Sequence, residues 1–285
     1  MTVHKAPIAS KKTHQHEIHD HQRCDDYFWL RDDNRENPEV INYLNEENAY
    51  TEIQMSPLQD LQTELYDEMV ARQEPELESV PYFKKGFWYL SRYDEGKDYT
   101  VYCRYKGTAE GYKGASEEVF LDCNQRAQGH EFYQLGDLSL SPNSMLMAYS
   151  EDTVSRRQYT LRFKDLQTGE ELADVVEDIS AVVWANDNKT VFYVKKHPET
   201  LLPYRVYRHV LGDDIKNDQL VYEEQDDTFY VNIYKTRSEQ YLVICIDSTL
   251  TSECLLLDAN TPTAEFTPFL ARQRDHEYSI DHFQG

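Results

Sequence analysis

The pattern of apolar and polar positions changes twice along the chain. Residues 1 to about 22 are polar and dotted with histidines, with no periodic apolar positions to bury, and read as a weakly ordered lead-in. Helical spacing follows. Pro38 precedes Val40, Ile41, Tyr43, Leu44 and Ala49, which suits a helix with proline in its first turn, and Leu58, Leu61, Leu65 and Met69 form a second apolar stripe at steps of three and four. Both segments are predicted to be amphipathic helices. Pro75 and Pro81 bracket an acidic stretch, Glu74 to Ser79, that stops the second helix and serves as a linker. Residues 1–78 are therefore expected to form a leader and helical arm, and residues 79–285 a second domain.

From Tyr82 onward the texture is one of short β-rich runs separated by turn residues, and these runs repeat. The segment Leu140 to Tyr149 aligns with Trp184 to Tyr193 and again with Tyr234 to Val243, each a strand, a polar turn and a strand. Each is followed by a further strand pair, as in Tyr159 to Lys164 with its turn at Gln167-Thr-Gly169. An earlier copy runs from Gly86 through Thr100 to Asp122. The offsets, 44 and then 50 residues, fit a four-stranded propeller blade of roughly 40–50 residues. The fold class expected is all-β: an incomplete β-propeller of about four blades, with His276 to Phe283 opening a fifth, preceded by the helical arm. Because blades stack radially and a closed ring protects its end blades, the open arc suggests part of a longer protein, with self-association as one way to cover the exposed faces.

Composition sharpens this. Twenty-two tyrosines suit half-buried pleated surfaces. A formal net charge of -23 would repel a phosphate backbone and an anionic membrane surface, so neither nucleic acid nor membrane is an expected partner, and basic peptides are favoured. Cys24, Cys103, Cys123, Cys245 and Cys254 are odd in number, widely spaced and lack a CxxC pair, which fits a reducing, cytoplasmic setting.

Catalytic chemistry is sparse. A serine hydrolase of the α/β type needs G-x-S-x-G at its nucleophile, and the nearest approach, Gly107 to Gly111, carries Ala109 at the centre. No catalytic residue is assigned. His14, His16, His19 and His21 with Glu17 and Asp20 have metal-ligand chemistry but no evident scaffold, so no metal or other cofactor is expected. Tyr27, Phe28, Trp29 and Leu30, flanked by Asp25, Asp26, Arg31, Asp32 and Asp33, read as an aromatic anchor for domain docking rather than as paired carboxylates for acid–base work. Arg156-Arg157 reads as a surface pair in a loop between strands.

These segments carry a resemblance. Asp26 to Asp33, Val40 to Tyr50, Leu161 to Gly169, Val183 to Asp187, Lys196-His-Pro198, Leu202-Pro-Tyr204, Tyr222-Glu-Glu224 and Asp275 to Tyr278 together resemble the N-terminal portion of the prolyl oligopeptidase family, in its oligopeptidase B (protease II) branch. The resemblance implies a parent enzyme in which a seven-bladed propeller caps an α/β-hydrolase domain that cleaves short peptides after Lys or Arg with a Ser-Asp-His triad. It also implies that the arm lies along that domain and that the propeller filters substrates by size. The later blades, the hydrolase domain and the triad would lie beyond Gly285, so this portion alone is expected to be inactive and to need the catalytic domain in cis. The competing expectation is a non-catalytic propeller that serves as a binding scaffold.

Overall fold

The computed structural model describes residues 4–75 and 77–284. The chain divides into two compact units, Met1–Glu74 and Pro75–Gly285.

The first unit opens with a hairpin that the polar sequence did not announce. Strands β1 (His14–Ile18) and β2 (His21–Asp25) pair antiparallel around His19 and Asp20, both at positive φ, the backbone that a two-residue hairpin turn requires. The lead-in is thus ordered by backbone pairing and by His14 stacking on Phe28 at 4.1 Å, not by a buried apolar face. Helix α1 (Pro38–Met55) starts as the sequence suggested, with Pro38 in the first turn and the Asn37 side chain accepting the Glu39 N–H. A single 3-10 turn, Ser56–Leu58, leads into α2 (Gln59–Ala71). Of both helices only Val40 is buried, and Leu58, Leu61, Leu65 and Met69 are 44–58% exposed.

The second unit is built of antiparallel meanders. Strands β3 (Leu77–Glu78) and β4 (Tyr82–Lys84) both pair with β5 (Phe87–Tyr93), which continues to β6 (Val101–Lys106) and β7 (Glu117–Asp122). A short helix α3 (Cys123–Ala127), capped by the Asp122 side chain, then leads to a seven-stranded sheet. That sheet holds β8 (Gln134–Leu140), β9 (Leu146–Asp152), β10 (Tyr159–Asp165), β11 (Glu171–Trp184), β12 (Thr190–Lys196), β13 (Pro203–Val210) and β14 (Gln219–Glu223). It is two blades sharing one strand: the first part of β11 pairs with β10, the last part with β12, and Asp178 at φ 56° marks the break between them. Strands β15 (Tyr230–Lys235), β16 (Tyr241–Asp247), β17 (Ser252–Asp258) and β18 (Thr267–Leu270) form the fourth blade.

Among the described residues three separate cores lie between successive blades. Tyr89, Phe120, Met147 and Tyr149 fill the first seam; Ala148, Phe163, Val182, Trp184 and Tyr193 the second; Phe192, Val194, Val231, Leu242 and Ile244 the third. Alternate residues of one strand therefore serve opposite seams, Val191 and Tyr193 one side and Phe192 and Val194 the other. Both faces are dry, and this is why these strands read as continuous apolar runs instead of alternating ones. Polar bonds close each seam as well. Arg104 of β6 donates to the Ser144 carbonyl at 2.6 Å, the Val182 N–H donates to Asp137 at 2.9 Å, and the Asn186 N–H donates to the Ala259 carbonyl at 2.8 Å.

Residues His276 to Phe283, expected to open a fifth blade, run along the fourth as an extended segment without a ladder partner among the described residues. They are held there by the Ser252 N–H on the His276 carbonyl and the Ser238 N–H on the His282 carbonyl. No helix among the described residues is long and apolar enough to cross a membrane.

Candidate functional site

The first strand of each blade turns into the second at the same end of the second unit. In blades two to four the turn is closed by an equivalent backbone bond: Ser141 N–H to Leu146 C=O, Ala185 N–H to Thr190 C=O, and Thr236 N–H to Tyr241 C=O, each 2.9 Å. Ser144, Asn188 and Glu239 occupy the positive-φ position of these turns, and Lys85-Gly86 does so in the first blade. The backbone equivalence corrects the repeat offsets. The first is 44 as read from sequence, but Ala185 to Thr236 is 51 rather than 50; the three turns are of equal length, so the extra residue lies in the chain between the third and fourth turns.

These turns and their first strands enclose a cleft of ≈ 410 Å³. Its walls are mixed, with Tyr82, Tyr89, Phe120 and Trp184 among serines such as Ser79, Ser139 and Ser141, and its charged groups are Lys84, Lys85, Lys235 and Glu239. Glu239 joins the first blade to the fourth: its carboxylate pairs with Lys84 at 3.1 Å and also with Lys85. Burial acts to raise the Glu239 pKa, but the hydrogen bonds from Lys85 and Lys84 outweigh it and hold the carboxyl below its ordinary range. Lys235 donates to the Asn186 side-chain oxygen at 2.7 Å. Burial pushes its ammonium down to about 8, against the attraction of Glu239 and, more weakly, of Asp187, while Lys85 and Lys84 add repulsion. Glu239 thus faces three ammonium groups, with Asp187 acting more weakly on Lys235.

The residues singled out from sequence lie elsewhere. Trp29 donates its indole N–H to the Ser10 carbonyl at 2.7 Å and packs against Tyr43, Phe28 stacks on His14, and Leu30 is half-buried, so three of the four docking candidates pack within the first unit; Tyr27 is 44% exposed. His14 and His16 lie on one face of β1 beside Phe28, while His19 is in the turn and His21 on β2. No group of three or more His, Cys, Asp or Glu side chains among the described residues is arranged to hold a metal ion. Gly107 to Gly111 forms a small bridged loop, with the Trp88 indole donating to the Thr108 carbonyl. Arg156 and Arg157 are exposed, on a loop whose backbone N–H groups at Val154, Ser155, Arg156 and Arg157 all converge on the buried Asp152 carboxylate. Lys84, Lys85, Lys235 and Glu239 escaped sequence reading because they are scattered over some 155 positions and join only when blades close around a common axis.

The family described as "Prolyl oligopeptidase, N-terminal beta-propeller domain" matches residues 7–285. The chain is 45% identical to the dipeptidyl aminopeptidase BI of Pseudoxanthomonas mexicana over 97% of its own length and 40% of that protein's. It is 34% identical to the protease 2 of Moraxella lacunata, over 98% of this chain and 41% of that one. The oligopeptidase B structure from Leishmania major superposes with a TM-score of 0.91 at 31% identity, covering 98% of this chain and 41% of that one. The chain thus spans about two-fifths of the length of these relatives. Blades stacked around a common cleft and a match over nearly every residue lead to one conclusion: the chain belongs to the prolyl oligopeptidase family, through its N-terminal β-propeller domain.

Proposed function

We propose that this chain is the arm and propeller portion of a serine peptidase that cleaves short peptides after Lys or Arg, and that the portion alone does not hydrolyse them. The observation that carries the proposal is the end-to-end likeness to proteins named as peptidases, at 45% and 34% identity, and to oligopeptidase B structures. In this reading the blades admit oligopeptides through the propeller and exclude folded proteins, and the arm docks on a hydrolase domain supplied in cis, through the exposed Tyr27, on a base formed by Phe28 to Leu30, and the exposed leucines of α2. The charge of -23 supports a preference for basic peptides by raising their concentration near the surface. Five cysteines held as thiols support a cytoplasmic setting.

Incubating the purified 285-residue protein with an arginyl-amide chromogenic peptide and a fluorophosphonate probe tests the reading. The expected result is neither turnover nor labelling. Fusion to the hydrolase domain of the Moraxella relative should restore cleavage after Lys and Arg. Turnover by the 285-residue protein, or a fused enzyme that ignores basic residues, would overturn the proposal.

A further inference from the structure

The cleft carries a charge imbalance that the peptidase reading leaves unused. Within a protein of net charge -23, the turn end of the blades gathers Lys84, Lys85 and Lys235 around Glu239, with Asp187 a weaker influence on Lys235. Glu239 is spoken for by Lys84 and Lys85. Among the described residues the hydrogen-bond partner of Lys235 is the neutral Asn186, and its ammonium can donate three hydrogen bonds. A half-buried cation beside two others is stabilised most by a second anion, and the cleft volume of ≈ 410 Å³ lies within the range of small-ligand sites. The exposed Tyr82 ring, backed by the buried Tyr89 and Trp184, suits an apolar side chain next to that anion.

We propose that this cleft binds the C-terminal carboxylate of a peptide, held by Lys235 with Lys84 and Lys85 and with the terminal side chain against the aromatic wall. The depressed pKa of Lys235 comes chiefly from burial, a cost to its charged form that a bound carboxylate would offset. The choice of a peptide as the source of the carboxylate rests on the peptidase reading, whereas the site itself rests on the cleft and its lysines. Because the test below measures binding without turnover, failure of the site and failure of the peptidase reading are separable.

Calorimetric titration of the 285-residue protein at neutral pH uses three probes: an N-acetylated tripeptide ending in a free phenylalanine carboxylate, the same peptide as its C-terminal amide, and inorganic phosphate. The acid should bind, and the amide should bind about tenfold more weakly or less, the weight of one partly buried charge-assisted contact. K235M should weaken the acid peptide by a similar factor. E239Q should tighten it, because it removes the competing internal carboxylate; two variants with opposite expected signs separate a binding role from a folding defect. Equal binding of acid and amide, or an unchanged affinity in K235M, would overturn the site. Phosphate binding as tightly as the acid peptide would overturn the peptide terminus as its ligand.

Discussion

At the scale of single residues, two buried clusters give sharp expectations. His209 is fully buried and bonded at both ring nitrogens, at 2.9 Å to Asp174 in the first part of β11 and at 2.6 Å to Asp218 just before β14, so one imidazole ties the second blade to the third. Burial works against its charged form, but the hydrogen bonds to Asp218 and Asp174 prevail and raise its pKa above 6.5. A raised folded pKa means that the stabilisation is complete below the unfolded value near 6.5 and fades as pH climbs through the folded value. H209F leaves two buried carboxylates without their partner and is expected to cost about 3–5 kcal/mol. The gap to the parent protein in urea unfolding should be widest below pH 6.5 and should narrow as the solution becomes alkaline; a gap that widens with pH would contradict the assignment.

The cysteines divide just as clearly. Burial pushes the thiols of Cys103 and Cys245 up to about 12 and that of Cys123 up to about 11, and raises that of Cys254, whereas Cys24 is exposed on β2. Thiolates, not thiols, are alkylated. Brief iodoacetamide treatment of the native protein at neutral pH should therefore modify Cys24 alone in peptide mass spectra, and all five after unfolding. Labelling of Cys103 or Cys254 in the native protein would show that those strands are not buried as described.

At the scale of elements, the strands buried between two seams carry the fold. Phe192 of β12 is fully buried in the seam between blades three and four, where it meets Phe266 edge-on at 5.5 Å. F192A leaves a large cavity and is expected to lower stability by about 3–5 kcal/mol. A change at Leu65, on the exposed face of α2, should move it by no more than about 0.5 kcal/mol. The contrast is measurable by denaturant unfolding, and similar losses at both positions would mean that α2 buries its stripe within this chain.

The same elements mark how far the sequence was legible. Continuous apolar runs such as Thr190 to Val194 and Tyr241 to Ile246, separated by polar turns at a near-constant interval, were enough to reveal the blades, because burial on both faces writes itself as hydrophobicity. The hairpin of β1 and β2 was not legible: its residues are polar on both faces, and its order comes from main-chain pairing that composition does not record. The one-residue shift of the fourth blade's turn, 51 and not 50 residues after the third, was also missed, since polar turn positions carry too little pattern to fix a register. The fusion of two blades through β11 was hidden for a different reason: a break at Asp178 is a matter of one backbone angle.

At the scale of the whole second unit, the account depends on blades one and four meeting across a common axis, which no local pattern demanded. Lys84, Lys85 and Glu239 are the points of contact, and a cleft bordered by the opening strands of four blades follows from them. Zero-length carbodiimide coupling of the native protein, followed by tandem mass spectrometry, reads this contact directly, because it joins only amines and carboxylates already in contact. The account predicts an isopeptide bond between Glu239 and Lys84 or Lys85, formed alongside the Lys12–Glu39 link within the first unit that serves as the internal standard. Recovery of the Lys12–Glu39 product with Glu239 uncoupled, or joined only to residues of its own blade, would contradict it.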